Sequence, residues 1–210
     1  MSRFIIFIEA KTAKNQTNEE RFVRHIITLL GAKLEEIEIV GTDGYTNLKE
    51  YKNKMLRNSA EGGVNLVVFD ADFARTNGGF KKRRDELLNE KKVLEVEFEL
   101  FLFPNNQEDG TFEHLLEHLL EHLTVEKHQA LLKCFEGYEM CINGQNKGEY
   151  EVPDQKAKMY TYISALKKTQ QQTKAFKNGD WFFERTDLWN FNAEHLNALK
   201  EFFLKHLSFS

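Results

Sequence analysis

The chain has 210 residues, of which 41% are hydrophobic and 30% charged, with a formal net charge of −4. That balance excludes a disordered or low-complexity chain, and the negative charge excludes a general attraction to nucleic acid, so any such contact needs a local basic patch. No apolar run is long enough to cross a bilayer.

In chain order, Phe4 to Glu9 is a continuous apolar run closed by an acid, as in a strand buried on both faces. It is too short for the core of a secretion signal. Asn18 to Leu30 reads as a helix with Phe22, Ile26, Leu29 and Leu30 on one side and Gly31 as its stop. Leu34 to Val40 reads as a strand, Gly41 to Gly44 as a turn and Leu48 to Ala60 as a helix ended by Gly62-Gly63. Val64 to Asp70 is a second continuous apolar strand. A charged helix follows from Phe80 to Lys91, then a strand from Val93 to Phe103 and a helix from Phe112 to Leu123.

Strands alternating with helices imply βαβ crossovers and a mainly parallel sheet with helices on both faces. From Val125 onward the pattern is helical, with segments near 126–142, 154–170 and 193–207 and an aromatic connector from Phe176 to Phe191. The expected organisation is an α/β domain over 1–123 and a helical extension over 124–210 packed on it. Cys134 and Cys141 would stand about 10 Å apart on a helix rising roughly 1.5 Å per residue. That is too far for a disulfide, so they are expected as buried thiols of a cytoplasmic protein.

Open parallel sheets bind ligands beyond the carboxyl ends of their strands. Glu9 ends the first strand, Asp70 ends the third with Asp72 two residues on, and Asn105, Asn106 and Glu113 follow the fourth. Asp70 and Asp72 share a side if the chain stays extended. Carboxylates crowded in a cleft raise one another's pKa, and a hard divalent cation such as Mg²⁺, Mn²⁺ or Ca²⁺ relieves that repulsion. An acid after the first strand also occurs in haloacid-dehalogenase-like phosphatases, and one after the third in receiver domains. The first pattern wants its acid pair after strand one, and the second wants an acidic pair where this chain has Glu9-Ala10.

Lys81, Lys82, Arg83 and Arg84 follow Gly78-Gly79 at a helix start, where they would meet phosphates flanking a metal site. Lys11, Lys14 and Arg75 belong to the same sheet end. His114, His118 and His122 recur at four-residue spacing and read as an exposed polar stripe beside core leucines. The Trp181 to Phe191 aromatics read as core. The chain has no P-loop, no dinucleotide-binding glycine pattern and no nucleophile elbow.

Phe7-Ile8-Glu9-Ala10 and Leu66-Val67-Val68-Phe69-Asp70-Ala71-Asp72 resemble the two signature strands of Toprim domains, found in topoisomerases, primases and OLD-type nucleases. Phe103-Pro104-Asn105-Asn106, the Gly110-Thr111-Phe112-Glu113 helix start and Pro153 to Tyr160 resemble an uncharacterised prokaryotic Toprim-like branch. The resemblance implies metal-dependent phosphodiester chemistry, with a nuclease as the expected activity. By position it makes Glu9 the acid/base and Asp70 and Asp72 ligands of Mg²⁺ or Mn²⁺, with Glu113 as a further ligand. Lys11, Lys81, Arg83 and Arg84 are the expected phosphate or nucleic-acid contacts. It also implies nucleic acid and a separate ATPase or other protein as partners. The alternative is a non-catalytic metal- or nucleotide-binding module acting through a protein partner. The resembled pattern carries Gly where Ala10 stands. Lys11 to Asn18 reads as an inserted loop, so Glu19 or Glu20 would have to substitute for the acid expected shortly before the helix's first apolar position.

Overall fold

The computed structural model describes residues 4–11, 16–120, 125–145 and 148–207, with backbone alone at 125–128. Lys14 and His122 lie outside the described residues. Four strands form one parallel sheet in the order β2-β1-β3-β4. They are β1 (Phe4–Ile8), β2 (Ile37–Gly41), β3 (Val64–Asp70) and β4 (Glu99–Phe103). Ile6 sits level with Ile39 on one side and Leu66 on the other, and Val68 with Phe101. All five residues of β1 are buried, as expected of a central strand with both faces covered.

The helices are α1 (Asn18–Leu29), α2 (Lys52–Ala60), α3 (Phe80–Leu94), α4 (Phe112–Leu120), α5 (Val125–Gln145), α6 (Gln155–Ala165), α7 (Gln170–Lys177) and α8 (Asn197–His206). The fold is therefore α/β with a C-terminal helical part, as the alternating pattern predicts. Among the described residues no helix is long and apolar enough to cross a membrane. In α1 the Thr17 side chain caps the Glu20 N–H at 3.2 Å, and Phe22, Val23, Ile26 and Ile27 are buried.

Inside the apolar β3, Asn65 is 2% exposed. Its Nδ2 donates to Met55 O, Ser59 Oγ and Glu97 O at 3.0–3.1 Å, and its Oδ1 accepts from Asn58 Nδ2 at 3.0 Å. One buried amide thus fastens β3 to α2 and to the chain entering β4.

The chain divides into two compact units, the first running to Leu115 and resuming at Glu194, the second covering Leu116–Ala193. The division falls inside α4 rather than near residue 124. α8 belongs with the sheet rather than with the extension: Phe202 lies 5.5 Å from Phe101 by ring centroids, and Leu199 and Phe203 are buried. The second unit is helical. Its Trp181, Phe182, Phe183, Leu188 and Trp189 are buried, and Trp189 Nε1 donates to Trp181 O at 3.1 Å.

Several element bounds differ from the sequence expectation for local reasons. Leu34–Glu36 is a 3-10 turn, so β2 begins at Ile37. α3 runs on to Leu94, and Glu95 turns left-handed at φ 55° to reverse the chain. Lys91 anchors that reversal, its Nζ 2.9 Å from Phe98 O and 2.8 Å from Glu97. Val93 to Phe98, expected as the start of the strand, therefore ends α3 and forms the reversal, and β4 begins at Glu99. The segment expected as one helix over 154–170 breaks after Ala165, and Thr169 starts α7 with a capping box. Cys134 and Cys141 are both exposed, which corrects the expectation of buried thiols; the buried face of α5 carries Leu132 and Phe135 instead.

Candidate functional site

β1 and β3 are neighbours, and from β1 the chain leaves to one side for β2 before returning to the other for β3 and β4. The crevice beyond their carboxyl ends is thus the topological switch point of the sheet, the place where open α/β folds bind ligands. Glu9 leaves β1 there and Asp70 closes β3.

Three carboxylates from different elements form a relay at this point. Glu9 Oε2 accepts from the Asp70 N–H at 3.1 Å. The Glu9 N–H in turn donates to Glu19 Oε1, from the first turn of α1, at 3.2 Å. Asp70 Oδ1 accepts from the Phe112 N–H, at the start of α4, at 2.7 Å. Each acid satisfies the backbone of another segment, so the loops after β1 and β3 and the starts of α1 and α4 are tied into one cluster.

Burial dominates the electrostatics. It raises the Asp70 carboxyl well above its ordinary value, and the charges of Glu19, Glu9 and Glu113 push in the same direction. Burial, followed by the charge of Glu9, drives Glu19 up to about 8. Glu9 is raised by burial and by Asp72, against the opposing hydrogen bond from Asp70 and the charge of Arg83. Glu9, Glu19, Asp70 and Glu113 are therefore one interacting group of acids.

Asp72 is placed differently. The chain does not stay extended after Asp70: Asp72 has φ 59°, and its backbone pairs both ways with Gly110 at 2.8 and 2.9 Å. Its Oδ2 takes a 2.6 Å ion pair from Arg83, whose side chain is 3% exposed and stacks on the Tyr45 ring at 3.3 Å. Gly78 packs so closely that a Cβ there would stand 2.3 Å from the Asp72 Cβ. Asp72 reaches the acid group through its charge on Glu9, while its carboxylate is committed to Arg83.

The four expected phosphate contacts also separate. Lys11, Lys81 and Arg84 are exposed. Arg83 is buried, with Asp72 and Glu86 as partners, so it organises the site from within. Lys81 lines a groove of about 540 Å³ with Lys82, Gly78, Gly79 and Asp109. The α3 start in that groove is already capped, since Asp109 Oδ1 accepts from the Phe80 N–H at 2.7 Å. His114 is half-buried rather than part of an exposed stripe, and faces Thr111 through Nδ1 and Phe73 through its ring.

The donor set suits a hard divalent ion: oxygen only, negatively charged and drawn from several elements. Among the described residues no three His, Cys, Asp or Glu side chains are placed to hold one metal ion. Mg²⁺ is commonly held by one or two carboxylates, with waters and substrate phosphates completing its shell. Glu9 and Asp70, with Glu19 and Glu113 beside them, fit that mode; Asp72 joins only by leaving Arg83.

Sequence reasoning left Glu19 open between two neighbours. The structure brings Glu19 to the cluster and gives Glu20 to Arg24 at 2.9 Å. Asp109 and Tyr45 were not singled out, and no local pattern marks them, because their partners lie 29 and 38 positions away in sequence. No curated protein and no solved structure matches the chain. A family model matches residues 16–208, a span that holds Glu19, Asp70, Asp72 and Glu113 and begins after Glu9. The chain belongs to that family, described as a protein of unknown function (DUF3226).

Proposed function

We propose that this chain is a Toprim-like, divalent-metal-dependent phosphoryl-transfer protein, a nuclease acting on nucleic-acid phosphodiesters. The observation that carries the reading is the relay of Glu19, Glu9 and Asp70 at the switch point of the sheet. Buried carboxylates whose protons are held up by one another form a group that a cation would relieve.

Mg²⁺ or Mn²⁺ bound there would neutralise a phosphate and acidify a water. Asp70 and Glu9, with Glu19 and Glu113 in support, are the residues that would hold it. Burial raises the Glu9 carboxyl above its ordinary value, the direction that suits a carboxyl to general acid/base work. Arg83 holds Asp72 in its turn and keeps it from free rotation. Exposed Lys11, Lys81 and Arg84 supply positive charge for a phosphate backbone. A cytoplasmic location suits the two exposed thiols, which stay reduced there, and an ATPase, where one takes part, is a separate chain.

A second reading is favoured by the Asp72–Arg83 pair: a metal- or nucleotide-binding module without turnover, acting through a protein partner. Incubation of the purified full chain with single-stranded DNA and RNA in Mg²⁺ or Mn²⁺ separates the two. The nuclease reading expects cleavage that Glu9→Gln and Asp70→Asn each reduce at least about 100-fold, the scale of a lost acid/base group. Metal binding without cleavage selects the second reading.

A further inference from the structure

Residues 155–179 of the second unit contain six lysines, namely Lys156, Lys158, Lys167, Lys168, Lys174 and Lys177, and no Asp or Glu. This is a local excess of +6 within a chain of net −4. The stretch comprises α6, the Leu166–Thr169 connection and α7. The two helices meet through an aromatic stack, Tyr160 on Phe176, with ring centroids 5.1 Å apart and planes 30° from parallel. Lys168 Nζ lies 4.8 Å over the same Phe176 ring.

The stack gathers the charges. Lys156 precedes Tyr160 by four residues and shares its side of α6, and Lys174 and Lys177 are three apart on α7, with Lys177 next to Phe176. Lys167 lies in the connection. Lys156, Lys167, Lys174 and Lys177 are all exposed, and among the described residues none of the four has a recorded ion pair. Several cations elsewhere are paired: Arg24 with Glu20, Lys54 with Glu38, Arg83 with Asp72, Lys91 with Glu97. Even in this stretch the one buried lysine, Lys158, is paired with Glu117 and Glu136. Lys168 has its pKa lowered by partial burial and then by the like charge of Arg185, which is itself paired with Asp187.

Tyr160 remains 55% exposed although its ring is already stacked on one side. A half-exposed aromatic on a hairpin that carries four exposed lysines meets both demands of a single-stranded nucleic acid: cations for the phosphates and a platform for a base. A lipid surface or an acidic peptide can be met by the charge alone, whereas a nucleic acid also offers a base for the ring to stack on.

We propose that the α6–α7 hairpin binds single-stranded nucleic acid, with Lys156, Lys167, Lys174 and Lys177 along the backbone and Tyr160 stacked on a base. This names a substrate-binding surface for the proposed nuclease, yet it rests on residues separate from the carboxylate cluster. Its test therefore runs without metal.

The test is fluorescence anisotropy of a labelled 20-nucleotide oligothymidylate with the full chain in EDTA, titrated at several salt concentrations. Four neutralised phosphates predict a slope of log K against log[salt] near −3, at about 0.7 per phosphate on a single strand. The variant Lys167→Gln/Lys174→Gln/Lys177→Gln, all exposed positions, brings the slope close to −1. Tyr160→Ala weakens binding about 5-fold to 100-fold with the slope unchanged, the scale of one lost base stack. Two results overturn the proposal: no binding by the wild type at 50 mM salt, or a triple variant that binds as tightly as the wild type. Equal affinity for heparin or phosphatidylserine vesicles, with no effect of Tyr160→Ala, also overturns it and identifies a general polyanion or membrane surface. Because the binding is read in EDTA, failure here is distinguishable from failure of the metal reading.

Discussion

The carboxylate of Glu9 accepts a hydrogen bond from the backbone of Asp70 at 3.1 Å, fastening the acid that leaves β1 to the acid that closes β3. The two are 61 residues apart in sequence, and the bond makes the end of one central strand the capping group of the other. Glu9→Ala leaves a part-buried N–H without its acceptor and lowers stability by about 1–3 kcal/mol, measured by denaturant unfolding. Glu9→Gln keeps an acceptor oxygen and costs less than half as much. Equal losses for the two variants would show that the hydrogen bond is not what the site depends on.

Glu19 makes stability depend on pH in a definite direction. Its folded pKa, near 8, lies above the ordinary carboxyl value of 4.5. Between these values the folded state holds the proton more tightly than the unfolded state, so stability falls as pH rises. The contribution is intact below about pH 4.5 and fully lost above about pH 8. Metal-free thermal unfolding is therefore expected to show a midpoint that drops from pH 5 to pH 8. Glu19→Gln, which keeps an acceptor for the Glu9 N–H, flattens that drop and melts about 3 °C or more above wild type at pH 8. A wild-type midpoint rising across this range would contradict the assignment.

Arg83 and Asp72 are expected to be strongly coupled. Arg83 is buried against Tyr45 with Asp72 and Glu86 as its charged partners, and removing one side of such a pair strands the other. Arg83→Met costs about 2–4 kcal/mol alone, Asp72→Asn costs less, and the double-mutant cycle gives an interaction above about 1 kcal/mol. Simple additivity would place the pair on the screened surface instead.

Asn65→Leu tests the polar pin inside β3. It removes the donor that Asn65 gives to Met55 O and Glu97 O, and overfills a close-packed site. The expected loss is about 2–4 kcal/mol in urea unfolding. A variant as stable as wild type would mean that the core repacks around those carbonyls.

The sheet was legible in the sequence because β1 is an uninterrupted apolar run and β3 is broken only by Asn65, and the acids at their ends were legible for the same reason. Val64–Asp70 emerges with the expected bounds. The interior polar contacts were not legible, since Asn65 reads as one polar residue in an apolar strand and only three-dimensional neighbours reveal its partners. Asp72 followed the same limit. A period-two argument puts it beside Asp70, whereas a left-handed turn and a buried arginine 11 residues later decide its place. Glu19 and Glu20 are equivalent acids in a helix first turn until the loop before them brings one to Glu9. The return of α8 to the sheet was equally hidden, because an amphipathic helix does not state in its sequence which surface it covers.

The central claim is that the acids at the switch point receive a divalent cation. The direct measurement is thermal unfolding of the wild-type chain and of Asp70→Asn at pH 7.5, each in EDTA and in millimolar Mg²⁺ or Mn²⁺. A ligand that binds only the folded state must raise its stability, by about 2.7 kcal/mol at one hundred times its Kd. The account predicts a clear rise in midpoint for the wild type and none for Asp70→Asn, which in EDTA melts as high as wild type or higher because a buried, repelled charge has been removed. No metal effect on the wild type, or the same rise in both proteins, would contradict it.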